Sequence, residues 1–481
     1  MIIDIMHKIA QHLPVVKGPE VPPSVKTRMM WTGIALIIFF LMYNTTCVGL
    51  NTKYTSPDFL ETITASRVGS LLTAGIGPIV LASIFLQLFV GAGIIHLDMK
   101  NQEDKKKFME VQKILAIVIA VVEGAVFVIS GRTILAPLFS GLGEGFVVDA
   151  VTGAAVANAP YTMGLVIFQI AFGSIIIIYL DEVLNKWGIG SAISLFIAAG
   201  VSFAVVSQSV NLFIGSGGVI SIMAGEGAEA IPKALIHLAP LLVTFIVFLV
   251  VVFAESMKVE IPISFERVRG MVPKLPLKFF YVSNIPVIFA AALILNVQIF
   301  GSFAANTLNL PILGVVDNSN QLRDGLFYFF TPIHSGLSTE AHINYLFNQV
   351  TPFYKIPEWV HAIVYVLTLS VISIVFGLFW VETSNMDAKS VAGQLQSSGL
   401  QITGFRRDPR MLETILNKHI LPLTVVGSFS VGLLAGLADI TGAMGTGTGI
   451  LLTVGILYKM YEQMEQMQAF ELYPALAELA K

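Results

Sequence analysis

"LLTAGIGPIVLASIFLQLFVGAGI", residues 71–94, contains no Asp, Glu, Lys or Arg, and none occurs between Arg67 and Asp98. A run of that length crosses the roughly 30 Å hydrocarbon core of a bilayer, and soluble proteins rarely carry one. Its beginning is nevertheless weakened by Gly75, Gly77 and Pro78. Glycine allows unusual backbone angles, and proline suits a first helical turn because it has no amide proton to leave unpaired. Non-helical backbone survives at membrane depth only where protein buries it or it lines a cavity. The stretch therefore predicts a spanning segment broken beside an internal cavity, with a plain kinked helix as the alternative.

The whole chain agrees with a membrane setting. It has 481 residues, 55% hydrophobic and 12% charged, with mean hydropathy +0.80. Soluble domains are about one quarter charged, so this composition belongs to a polytopic membrane protein. A net charge of −3 adds little when the charges sit in loops. The one cysteine, Cys47, rules out an intramolecular disulfide and a multi-cysteine metal site. The eight histidines form no ligand motif, so neither metal nor cofactor is expected. No cleavable signal sequence is evident. Ile2, Ile5, Met6, Ile9 and Leu13 fall at helical spacing, which predicts a helix lying on the membrane surface or packed on the protein.

Ten apolar segments follow one another, starting near Trp31, Leu71, Ile114, Tyr161, Gly188, Ala234, Tyr281, Trp359, Ile420 and Gly447. The tenth is the weakest by hydropathy. With the N-terminus inside, 22 of the 28 lysines and arginines fall on the cytoplasmic side, leaving Lys53, Arg67, Arg132, Lys233, Arg323 and Lys355 outside. The positive-inside rule thus places both termini in the cytoplasm. The divisions that result are a cytoplasmic amphipathic segment (1–28), a half with five spans (29–208), an outer hinge loop (209–233), a second half (234–466) and a cytoplasmic tail (467–481). Two long cytoplasmic loops fall at 255–280, where alternation at Val259–Ile263 predicts a hairpin, and at 382–418, with a short helix and a basic tip. An irregular Gly- and Ala-rich outer loop is expected at about 132–160.

A faint repeat runs through the chain. "GPIV" (77–80) matches "IPVI" (285–288), and Gly188-x-Gly190 matches Gly447-x-Gly449, each pair five segments apart. An odd spacing places the two halves inverted in the membrane.

"TITASRVGSLLTAGIGPIV" (62–80), "IAFGSIIIIYLDEV" (170–183), "GIGSAISLFIAAGV" (188–201), "YVSNIPVIFAAAL" (281–293), "FWVETSNMD" (379–387) and "GTGTGILLTV" (445–454) together resemble archaeal SecY, the channel subunit of the Sec protein translocon. The likeness runs in order over essentially the whole chain. It implies an all-α membrane protein with ten transmembrane helices in two pseudo-symmetric inverted halves of five around a central hourglass pore. The pore would carry unfolded polypeptides, be closed outside by a plug near 56–67 (Phe59, Leu60, Ile63, Thr64), and open sideways to membrane lipid. The outer loop at 132–160 is longer than is usual in the family.

Position by position, the family's apolar pore ring falls on Ile76, Val80, Ile193, Ile197, Ile288 and Leu452. Ile76/Val80 and Ile193/Ile197 are each spaced to share a helix face. The repeat concurs, because Val80 and Ile288 each follow the aligned proline by two residues. Taken without the family, these aliphatics would simply face lipid or core. An apolar constriction dewets and so blocks ions, yet grips a passing chain without chemical preference. Asn284 and Glu123 match polar lateral-gate positions, and Gln87 is a further polar candidate there, although helix-packing hydrogen bonds explain Gln87 and Asp439 equally well. Leu81 stands where many relatives have threonine. The loops imply ribosome docking through Arg267, Arg269, Arg406 and Arg407, since a basic tip suits RNA phosphates without reading sequence. Lys105–Lys107 are read as positive-inside bias alone. Implied partners are SecE-like (gamma) and beta single-span subunits, the ribosome, nascent polypeptides with signal sequences, and signal recognition particle pathway components, in the cell membrane.

A secondary transporter is the competing reading, since it too uses inverted repeats and broken helices. It would need intramembrane charges for coupling ions, and only Glu123 and Asp439 qualify. No nucleophile-with-base motif occurs, and "GTGTG" (445–449) lacks the lysine of a phosphate-binding loop, so an enzyme is not expected.

Overall fold

The computed structural model describes residues 2–10, 12–21, 23–50, 61, 64–91, 93–95, 97, 101–129, 146–148, 155–157, 160–215, 218–225, 230–265, 274–308, 310–316, 322–333, 339–397, 400–402 and 409–472. Among these, eight helices are long and apolar enough to cross a membrane, and a shorter apolar helix covers Gly77–Gly91.

In chain order the first set of elements is α1 (Ile2–Ala10), α2 (Val25–Asn44), α3 (Gly77–Gly91), α4 (Gln102–Ile129), β1 (Phe146–Val148), β2 (Ala155–Ala157), α5 (Pro160–Trp187) and α6 (Ala192–Ile214). The second set is α7 (Val219–Gly225), α8 (Ala230–His237), α9 (Ala239–Ser256), β3 (Lys258–Phe265), β4 (Lys274–Lys278), α10 (Ile285–Leu308), β5 (Val315–Val316), β6 (Leu322–Asp324), α11 (Thr339–Asn348), α12 (Glu358–Thr383), α13 (Ala388–Ser397), β7 (Leu400–Ile402), α14 (Pro409–Ile440) and α15 (Gly447–Leu472).

Helix α1 packs on the protein. Met6 sits against Leu86, Phe108 and Val111, Ala10 is buried, and His7 Nδ1 lies 2.5 Å from Glu110 Oε2 on α4. Ile9 faces outward, 54% exposed. The strap behind α1 is tied down by its backbone: Lys113 Nζ donates to Pro14 O (2.9 Å), Lys186 Nζ to Val16 O (2.5 Å), and Val16 N to Glu182 Oε1 (3.1 Å). Glu182 in turn pairs with both lysines.

The opening stretch is broken as its glycines imply. Helix α3 has 15 residues, about 22 Å at 1.5 Å per residue, too short to cross the hydrocarbon core alone. The chain just before it, 64–76, is non-helical and mostly buried, with Arg67 exposed.

Two sets of helices, α2–α6 and α9–α15, meet along one seam. Helix α3 packs on α10 and α12, α4 on α10, and α6 on α15. Close approach relies on small residues where helices touch without a hydrophobic drive. A Cβ on Gly91 would strike the Phe379 ring across the α3–α12 seam, and one on Gly432 of α14 would lie 2.7 Å from Ser370 Cα on α12.

The predicted hairpin forms as β3–β4, with Val259 opposite Leu277 and Ile261 opposite Leu275. Strand β7, from the second long loop, adds antiparallel to β3 with Ile263 opposite Ile402, so both loops belong to one three-stranded sheet in the order β4-β3-β7. In the loop expected to be irregular, β1 and β2 pair as a short hairpin.

The repeat is visible in backbone geometry. Gly75 (φ +53°) and Ser283 (φ +58°) are both left-handed and both stand two residues before a helix whose second residue is proline. Val80 thus matches Ile288 as the sequence predicts, and Ile76 matches Asn284. For the later pair the structure corrects the register by one turn. Left-handed Gly190 (φ +73°) corresponds to left-handed Gly445 (φ +70°), not to Gly449. Ile193 therefore matches Thr448, and Ile197 matches Leu452. Gly447 is a close-approach glycine, whose Cβ would run into Ala438.

Candidate functional site

The break before α3 explains its own sequence. Residues 64–66 fold back on the helix start, and Ile76 N donates to Thr64 O (2.9 Å). A Cβ on Gly75 would collide with Thr64 O and lie 2.9 Å from Ser66 Cβ, and φ is positive, so space and backbone angle both demand glycine. Ala65, fully buried, presses on α6 at Gly200, whose added Cβ would lie 3.3 Å from Ala65 Cα. Thr64 Oγ1 donates to Ser66 Oγ (2.6 Å), and Ser66 N to Glu61 O (2.9 Å). The three-residue turn is thereby wedged between the start of α3 and the face of α6. Of the plug candidates, Thr64 is this turn's first residue; Phe59, Leu60 and Ile63 lie outside the described residues.

All six ring candidates belong to one apolar cluster at the seam. Ile76, Val80, Ile197, Ile288 and Leu452 are buried, and Ile193 is partly buried against the same cluster. They come from four helices or helix starts: residues 76–80 at α3, Ile193 and Ile197 on α6, Ile288 on α10 and Leu452 on α15. Leu81, the departure from the family, is buried in that cluster as well.

The gate candidates are buried and sit in different settings. Glu123 of α4 lies against the first residue of α3, since a Cβ on Gly77 would be 3.0 Å from Glu123 Oε2. That puts a carboxyl beside a helix N-terminus, where the dipole favours it. Asn284 immediately precedes α10 and donates to Leu451 O of α15 (3.3 Å), next to ring residue Leu452, while its Oδ1 has no partner among the described residues. Gln87 donates to Ser83 Oγ (3.1 Å), one turn back on its own helix. These named contacts all stay within α2–α6 or within α9–α15. The seam between the two sets is crossed instead by Gly91 against Phe379. The docking candidates Arg267, Arg269, Arg406 and Arg407 lie outside the described residues.

Sequence reasoning did not single out Ala65, Gly200 or Phe379, because small residues and a ring on an apolar helix carry no chemical signal. The turn at 64–66 was detectable only through what Gly75 would otherwise strike.

Comparison with known proteins decides the family. The SecY family model matches residues 70–461. The chain belongs to the SecY family. The protein translocase subunit SecY of Methanocaldococcus jannaschii is 41% identical over 476 residues, 98% of this chain and 98% of that one. A solved SecY structure, whose plug domain is described as stabilising the closed state of the translocation channel and maintaining a membrane seal, has TM-score 0.77 and 38% identity over 98% of each chain. Canine Sec61 in the ribosome-channel complex from the endoplasmic reticulum has TM-score 0.74 and 39% identity, again over 98% of each chain. Members of this family are translocation channels, not enzymes.

Proposed function

We infer that this SecY-family chain conducts unfolded polypeptides across a membrane and releases apolar segments into lipid between α3/α4 and α10/α12. The observation that supports this reading is that all six aliphatics, from four helix segments, join one buried apolar cluster, with the 64–66 turn bonded to Ile76. A collar of branched aliphatics excludes water and ions while making no demand on the sequence that passes. The turn is the end of the plug, Asn284, Glu123 and Gln87 tune the gate, and ten spans in two inverted halves divide at the 209–233 hinge. The chain would sit in the cell membrane with both termini cytoplasmic, bound to single-span SecE-like and beta subunits. The ribosome would dock at Arg267, Arg269, Arg406 and Arg407, fed by the signal recognition particle pathway. The transporter reading loses its ion site, because Asp439, one of the two intramembrane charges it required, is spent on Thr448 and Tyr365.

Replacing Ile76, Ile193 and Ile288 together by serine tests the collar. The hydroxyls would face funnels rather than lipid, so the protein should still fold. Planar bilayers holding the variant should pass ions with no translocating chain, and a variant as silent as wild type removes the collar from the seal.

A further inference from the structure

Helix α12 marks where the bilayer lies. Trp359, Ile363, Leu367, Val371 and Val375 recur every four residues and, with Leu378, leave one exposed apolar stripe along the helix, while the opposite face is buried. From Trp359 to Leu378 the stripe runs about 28 Å at 1.5 Å per residue, close to the roughly 30 Å hydrocarbon core. Trp359 therefore stands at one edge of that core, and the loop just before it, 350–357, lies at headgroup level. The loop is closed by a bridge between Val350 and Pro357 and is held from within by its polar groups. Thr351 N donates to Ile356 O (2.8 Å) and Ile356 N to Thr351 Oγ1 (3.0 Å). Phe353 N and Tyr354 N both donate to Asp324 Oδ2 of β6 (2.7 and 2.8 Å). Thr351 and Asp324 are fully buried. The apolar side chains point the other way: Phe353 and Tyr354 are 58% and 41% exposed, their rings edge to face at 4.9 Å, with Lys355 exposed beside them.

We propose that Phe353 and Tyr354 form an interfacial lipid anchor at the N-terminal end of α12, their rings entering the boundary between headgroups and acyl chains. A buried carboxylate and a buried threonine fix the backbone so that both rings stay outward, which suits surroundings that are apolar at ring height. Phenylalanine supplies apolar area, and tyrosine, with one apolar and one wet end, favours the membrane–water boundary. Lys355 fits headgroup phosphates, because lysine stretches an apolar stem to a charged head. A docked protein is the other possible occupant, but the tip continues a stripe one bilayer long, and that continuity favours lipid. Anchors of this kind help set a helix's tilt and rotation in the membrane. The inference needs α12 to span the bilayer and does not depend on its being part of a gate.

The test uses the full chain with its co-expressed partner subunits, in a Cys47→Ser background, reconstituted into vesicles of phosphatidylcholine and phosphatidylglycerol. A nitroxide is attached at Phe353→Cys or Tyr354→Cys, both exposed positions where the exchange leaves the core untouched. Its depth is read from relaxation by oxygen, which concentrates in lipid, against a nickel chelate, which stays in water. Val371→Cys, in the middle of the stripe, gives the lipid reference, and Glu103→Cys, exposed in the first turn of α4, gives the aqueous one. Both tip labels should lie about 5–10 Å into the headgroup–acyl boundary, between the two references. Tip labels that match the Glu103 position would put the loop in water and overturn the proposal. Tip labels shielded from both reagents would mean that protein covers the tip, which overturns it equally. An aqueous reading at Val371 would remove the span beneath the anchor, and the proposal with it, so failure of the helix and failure of the tip are told apart.

Discussion

Gly75→Ala is the sharpest single perturbation of the closed channel. An L-residue at φ +53° costs roughly 1–2 kcal/mol. The new methyl cannot coexist with Thr64 O, so the 64–66 turn must leave and the Ile76 N–Thr64 O bond, worth about 0.5–1.5 kcal/mol, is lost. Together these sum to roughly 1.5–3.5 kcal/mol against the wedged turn, or about a 10- to 300-fold larger population of channels with the turn displaced. Gly93→Ala is the matched control, because Gly93 has φ +70° and nothing within 4 Å of an added Cβ. It carries the backbone cost without the collision. In single-channel recordings Gly75→Ala should show frequent brief openings without substrate, while Gly93→Ala stays closed. Equal silence in both would mean that the turn does not contribute to closure. Equal leakiness would mean that backbone strain alone, remote from the plug, opens the channel.

Three other outcomes are expected. Arg406→Glu with Arg407→Glu should weaken ribosome binding and leave folding intact, because exposed loop charges add little stability, and wild-type binding should fall with added salt; unchanged affinity would move docking elsewhere. Protease added to inside-out vesicles should cut at Arg267–Arg269 and Arg406–Arg410 while sealed right-side-out cells protect both, and cleavage from outside would reverse the orientation. His361 Nε2 faces Thr331 O (2.7 Å), which can only accept, so that nitrogen donates, while Nδ1 faces Glu358 Oε2 (3.0 Å). Removing the carboxyl from this buried pair by Glu358→Ala should cost about 3–5 kcal/mol, seen as a lower thermal midpoint in detergent; an unchanged midpoint would show that the pair is dispensable.

Much of this channel was legible because membranes impose coarse rules. Long apolar runs mark membrane helices, the Gly/Pro break marked the start of α3, and the β3 hairpin followed from alternation. The N-terminal helix stayed ambiguous because an amphipathic stripe is the same whether its apolar face meets lipid or protein. Only contact decides it, and Met6 against Phe108 supplies that contact. The pairing of β7 with β3 joins loops more than a hundred residues apart, and no local pattern encodes such a partner.

Glycine set the limit on reading the repeat. It occurs where the chain must turn left-handed and also where two backbones must nearly touch, and the letter does not distinguish the two uses. Matching Gly188 and Gly190 to Gly447 and Gly449 set the left-handed Gly190 against a glycine inside α15 and misplaced the register by a turn. Hydrogen bonds resolve it, since the amides before Gly190 and Gly445 each find a threonine on the helix that opens their half.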